Sequence, residues 1–159
     1  MGFALSDMQL TSTAFDQGAA IPTQYTGEGA DISPELSWRN APEGTRAFAV
    51  ICHDPDAPLV SPAGTYGFVH WVLYNIPAST TKLVEACTEF TNGKNDFGNI
   101  AYGGPMPPNG HGTHHYFYWV LALGENLDLE PGLTMWQLLE RIEPVLIGMN
   151  RLVGTYERA

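Results

Sequence analysis

The chain has 159 residues, 44% hydrophobic, 11% aromatic and 15% charged, with 12 prolines and 17 glycines; that is enough for one domain with a buried core, and it excludes a disordered chain or a coiled coil. Its 17 acidic residues against 7 Lys plus Arg give a net charge of −10, which excludes a sequence-independent hold on nucleic acid or anionic lipid headgroups as the main role. No apolar run reaches the length of a bilayer span, so no integral membrane segment is expected.

The first residues lack a basic and apolar leader, and the cytoplasm is the expected address. Cys52 and Cys87 have no CxxC spacing and are expected as free thiols. The density of Pro and Gly points to many turns, as in an all-β sandwich or barrel. Residues 8–13 alternate well enough for a first strand, and residues 36–38 make a brief second one. Residues 47–53, Ala-Phe-Ala-Val-Ile-Cys-His, form an almost continuous apolar run, the pattern of a strand covered on both faces.

That strand ends at Asp54-Pro-Asp-Ala-Pro58. A residue before proline is held extended, so the loop is stiff and its acids are fixed at a strand end. One acid is expected to close the loop by bonding its backbone and the other to face a ligand; Asp56 is assigned the first role and Asp54 the second. The rigid loop continues through Pro62 and Gly64. Residues 67–77 then give a strand of aromatic and β-branched residues in which His70 is a titratable anomaly, either a satisfied core imidazole or a site residue. Residues 88–99 are polar with Asn-Gly and Phe-Gly pairs, a hairpin or surface loop.

The stretch from Tyr102 to Tyr118 joins Gly103-Gly104-Pro105-Met106-Pro107-Pro108 to His111, His114 and His115 at the head of an aromatic strand. It is a stiff loop that holds imidazoles at a sheet end. A helix is predicted over residues 133–142: Thr134 with Gln137 matches a capping box, Met135, Leu138, Leu139 and Ile142 share a face, and Pro144 ends or kinks it. Nothing indicates a repeat, a linker or a second domain, so residues 1–159 are read as one domain.

Three classes of function fit these residues. One is a small-molecule or anion-binding module. A second is a hydrolase or other acid–base enzyme using Asp54, His70 and His114, although no nucleophile motif such as G-x-S-x-G is present. A third is a metal site drawn from Asp54, His70, His111, His114 and His115, but His111 and His114 lack the i, i+4 spacing of a zincin helix, and neither metal nor cofactor is expected.

Asp54-Pro-Asp-Ala-Pro58, His70-Trp-Val-Leu-Tyr-Asn-Ile-Pro77, and Gly104-Pro-Met-Pro-Pro followed by His114-His-Tyr116 resemble the signature blocks of the phosphatidylethanolamine-binding protein family, which includes the Raf kinase inhibitor proteins. Asp31-Ile-Ser-Pro-Glu-Leu-Ser-Trp38 and Leu152-Val-Gly-Thr-Tyr156 resemble its short bacterial branch. The resemblance implies a mostly β, antiparallel Greek-key β-sandwich with a few short helices. It also implies a pocket for phosphate-like groups at one end of the larger sheet, with Asp54, His70, Gly104, Pro105, His114 and Tyr116 as ligand-binding residues. Partners implied in the same way are a phosphate-like small molecule, a kinase or other protein to be modulated, and a second copy in a homodimer. Met106 and His115 depart from the family pattern; His115 stands where arginine is expected, which lowers the charge near the pocket.

Overall fold

The computed structural model describes residues 3, 5–57 and 67–159. Pro58, Pro62 and Gly64 of the rigid loop lie outside the described residues. Strands β1 (Gln9–Thr11), β2 (Leu36–Arg39), β3 (Ala47–Asp54), β4 (Phe68–Pro77), β5 (Lys82–Leu83), β6 (Thr91–Asn92), β7 (His114–Leu123) and β8 (Leu146–Tyr156) are joined by helix α1 (Met135–Ile142). Among the described residues the strands form two antiparallel sheets, ordered β1-β2-β5 and β6-β4-β3-β7-β8. In the larger sheet β7 returns to lie beside β3, giving the β7-β3-β4-β6 order of a Greek key.

Strand β3 is buried on both faces, as its apolar run predicts, and its side chains alternate strictly between two cores. Phe48, Val50 and Cys52 point between the sheets, against Leu36 and Trp38 of β2, Leu83 of β5 and Tyr118, Val120 and Ala122 of β7. Ala47, Ala49 and Ile51 point outward, where Leu133, Met135, Leu138 and Ile142 cover them from α1 and its lead-in. The helix begins at Thr134, whose hydroxyl accepts from the Gln137 amide while the Gln137 side chain accepts from the Thr134 amide, so the capping box is complete. At Pro144 the chain tightens into a 3-10 turn (Glu143–Val145) and enters β8.

Strands β3 and β7 pair without a slip from Ala47↔Leu123 to His53↔Phe117. Strands β3 and β4 do not. Cys52 pairs with Trp71 and His53 with Val69, so His70 is the extra residue of a β-bulge. The bulge sets two successive residues of β4 toward the inner face: Trp71 joins the inter-sheet core, and the His70 ring lies 5.2 Å from that of Tyr116. Cys52 and Cys87 are both unpaired, and among the described residues no helix is long and apolar enough to cross a membrane.

Leu138 is fully buried on the helix while Trp136 on its other face is 47% exposed. Leu138→Ala is expected to lower unfolding free energy by about 2–5 kcal/mol, Thr134→Ala by about 1 kcal/mol, and Trp136→Ala by under about 0.5 kcal/mol; urea denaturation of the three variants checks that order.

Candidate functional site

The antiparallel register brings the site together. Continuing the β3–β7 pairing one step past His53↔Phe117 sets Asp54 opposite Tyr116, with His114 two residues further along on the same face. The bulge in β4 adds His70 from the other side. These four side chains line one cavity of about 190 Å³, whose remaining wall is Ala57, Phe68, Phe97, Met106, Pro107 and Pro108.

Asp54 is 2% exposed and His114 2% exposed, a depth at which an unpaired carboxylate is not tolerated. Nδ1 of His114 donates to Oδ2 of Asp54 at 2.7 Å, and the other carboxylate oxygen, Oδ1, accepts the Asp56 amide at 2.8 Å. Asp54 therefore faces the cavity and also closes its own loop, a role the sequence reading gave to Asp56. The Asp56 carboxylate instead accepts both the amide and the ring Nδ1–H of His115 at 2.7 Å. Burial pushes the Asp56 carboxyl up, but the bonds from His115 outweigh it and the net shift is downward. His115 does not line the cavity.

On the far side of His114, its Nε2 lies 2.7 Å from Nδ1 of His111. With both ring nitrogens engaged, His114 has one orientation. His111 itself is exposed, on a turn whose flanking Gly110 and Gly112 both have positive φ, +69 and +92. The result is a continuous chain of bonds from buried Asp54 through His114 to a solvent-facing imidazole.

His70 is of a different kind. Its Nδ1 lies 2.7 Å from the carbonyl of Gly103, which can only accept, so Nδ1 carries the proton. Burial lowers its pKa to about 4, against the opposing pull of hydrogen bonds to the Gly103 and Gly104 backbone. At neutral pH it is uncharged and its Nε2 is an acceptor. Tyr116 is fully buried; burial, reinforced by the nearby Asp54 charge, raises its phenol above the ordinary value and keeps it a neutral donor. Its hydroxyl has no hydrogen-bond partner among the described residues.

Gly104 and Pro105 are not among the residues lining the cavity. They brace it from behind. The Gly104 amide donates to Oδ1 of Asp31 at 2.6 Å, and the Pro105 carbonyl accepts from the Gly27 amide at 2.9 Å. A Cβ on Gly104 would lie 2.2 Å from the Tyr25 carbonyl oxygen, and one on Gly103 2.5 Å from the Phe97 ring, so the two glycines are there for close approach. The wall proper is the next three residues, Met106 to Pro108, held by Arg158, whose Nη1 donates to the Pro107 carbonyl at 3.1 Å.

Phe68 and Phe97 have no counterpart in the sequence expectations. Phe97 comes from the polar stretch read only as a hairpin or loop. Asn95, 3% exposed, organises that loop by donating to the Ala101 carbonyl and accepting the amides of Phe97 and Asn99. Asp96 anchors it by accepting the Val69 amide at 2.8 Å. The three bonds of a buried Asn are not visible in an Asn-rich string, and because Phe90 and Phe97 both stand among polar residues there, no signal singled out Phe97. Among the described residues no three His, Cys, Asp or Glu side chains are grouped so as to hold a metal ion.

Comparison with known proteins agrees with the fold. The family model for phosphatidylethanolamine-binding protein matches residues 11–157. The chain belongs to that family. It is 41% identical over 158 residues to a UPF0098 protein of Aquifex aeolicus, covering 95% of this chain and 89% of that one. Among solved structures, the family homologue from Chlamydia trachomatis superposes with a TM-score of 0.86 at 36% identity, covering 96% of this chain and 98% of its own. YbcL of E. coli, described as a member of the mammalian family, gives 0.87 at 31% identity, covering 97% and 100%. Family membership supports a ligand-binding module.

The neutral His70 makes an acid-stability prediction. Unfolded it titrates near 6.5 and folded near 4, so the native state forgoes a proton that the unfolded chain binds as pH falls between those values. The stability present above pH 6.5 is lost on that descent, by about 3 kcal/mol at pH 4. His70→Gln is expected to lack this component, so the stability difference between wild type and variant should shrink by that amount from pH 7 to pH 4; parallel stability curves would contradict it.

Proposed function

We propose that the protein binds a small molecule through a phosphate-like anionic end, placed at the closed end of the cavity against Tyr116, His70 and His114. The observation behind this reading is the Tyr116 hydroxyl, buried, neutral and without a partner among the described residues. Leaving such a group unpaired costs about 1–3 kcal/mol, a deficit that an acceptor oxygen of a ligand removes. Asp54 does not oppose the anion as an isolated charge, because both its oxygens are already taken by His114 and by the Asp56 amide. The phosphorylated head group in the family name is chemistry of the same kind.

An anion beside His70 favours its charged form and lifts its pKa from about 4, by roughly 1–3 pH units for a close charge. Binding therefore takes up a proton and strengthens as pH falls. Calorimetry with inorganic phosphate, phosphoethanolamine and O-phosphoserine is expected to show affinity rising from pH 7 to pH 5, with proton uptake seen as a buffer-dependent heat. Tyr116→Phe should weaken binding about tenfold, and His70→Gln should flatten the pH dependence. Unchanged affinity in Tyr116→Phe, or no saturable binding to folded wild type, would overturn the reading.

A second reading rests on the Asp54–His114–His111 chain, whose two 2.7 Å bonds orient an imidazole as a general base requires. It treats the same cavity as the site of an acid–base enzyme. Turnover of phosphate or carboxylate esters that disappears in His114→Ala would favour it over binding alone.

A further inference from the structure

We infer that the protein has a second ligand site, on the opposite face of the central strands, which takes a small aryl carboxylate with its ring beside Trp119 and Trp136 and its carboxylate on Arg151. It does not rest on the anion reading above. Side chains alternate along a strand, so the neighbours of the inner-site residues serve the outer face. On β3, Asp54 faces the first cavity and Ile51 faces out; on β7, Tyr116 faces in and Trp119 faces out. Between the outer face and helix α1 lies a separate cavity of about 190 Å³, lined also by Phe3 and by Met135, Trp136 and Leu139 of the helix.

The helix covers this face only in part. Leu138 and Ile142 are fully buried against the sheet, whereas Trp136 and Phe3 line the cavity and are still 47% and 38% exposed. Their apolar surface is left for another molecule to cover. Two indoles and the thioethers of Met135 and Met149 favour a ring as that molecule's body, because rings add edge-to-face or offset to rings and sulfur contacts ring edges. An apolar space of roughly 150 Å³ holds one benzene ring, so this cavity takes one ring and leaves its substituent at the rim.

Arg151 sets the chemistry of that substituent. It pairs with Trp119 across β7 and β8, and its guanidinium carbon lies 5.4 Å from the Trp119 ring centroid and 5.9 Å from that of Phe117. Stacking uses the guanidinium face and leaves its N–H edge available. Among the described residues its side chain has no carboxylate partner and donates no hydrogen bond, although acidic residues outnumber Lys plus Arg by 17 to 7. A cation without an acidic partner at the rim of an aromatic cavity matches an anionic group, and its planar fork fits a carboxylate through two parallel bonds. One cation on a chain of net charge −10 suits a singly charged group better than a phosphate monoester, which carries about two charges.

Calorimetry at pH 7 with phenylacetate, phenylacetamide and hexanoate tests the site on wild type, Trp136→Ala and Arg151→Met, with folding checked by circular dichroism. Phenylacetate is expected to bind wild type at least about tenfold more tightly than either other probe. Arg151→Met, which keeps an apolar stem, should erase the margin over phenylacetamide. Trp136→Ala, a change at an exposed ring, should weaken phenylacetate about tenfold. No saturable phenylacetate binding to folded wild type, amide or hexanoate binding as tight as the acid, or phenylacetate affinity unchanged in either variant overturns the inference.

Discussion

The hydrogen bond between the Asp54 carboxylate and Nδ1 of His114 is the interaction on which the rest of the site depends. Both groups are nearly sealed from water, and at that depth neither is tolerable without the other. The bond can form only if β3 and β7 keep their register, because a slip of one residue would turn Asp54 to the opposite face of the sheet from His114 and Tyr116. The same register sorts Phe48, Val50 and Cys52 into the inter-sheet core and Ala47, Ala49 and Ile51 under the helix. Packing and polar satisfaction thus specify one alignment together.

Around that pair the site is assembled from unequal parts. The sheet contributes polar groups whose protonation states differ by environment: His70 neutral with its acceptor nitrogen free of the Gly103 bond, Tyr116 a buried donor, and His114 held between a carboxylate and a second imidazole. The loops contribute carbon, through Phe97 and the run Met106 to Pro108. The proline run keeps one wall in place before any ligand arrives.

Much of this was legible in the sequence. The apolar run of β3, the aromatic strands β4 and β7, and the capping box of α1 each have a pattern whose cause is local, and the structure has them where the pattern put them. Strand β8 was not read as a strand, although ten of its 11 residues pair along the whole of β7, because Gly148, Asn150, Arg151 and Gly154 interrupt its apolar pattern. The glycines there answer to packing: a Cβ on Gly154 would lie 2.6 Å from Ile21, and one on Gly148 2.6 Å from Pro42. The site divides in the same way. Asp54, His70, His114 and Tyr116 stood out as anomalies or as matches to family blocks, whereas the bulge that turns His70 inward depends on how two strands pair. Gly104 and Pro105 support the wall without lining it, and Phe97 reaches the cavity only because Asn95 folds its loop, a tertiary consequence with no period to read.

The most direct test of the account is the side-chain imidazole spectrum of the protein, recorded as long-range proton–nitrogen correlations at pH 7 with and without saturating inorganic phosphate. The account predicts a neutral His70 in the Nδ1–H form in the free protein, a His114 whose Nδ1 keeps its proton throughout, and phosphate-induced shifts at His70 and His114 that are absent at His53 and His115. A charged His70 in the free protein, or phosphate shifts that miss both pocket imidazoles, would contradict it.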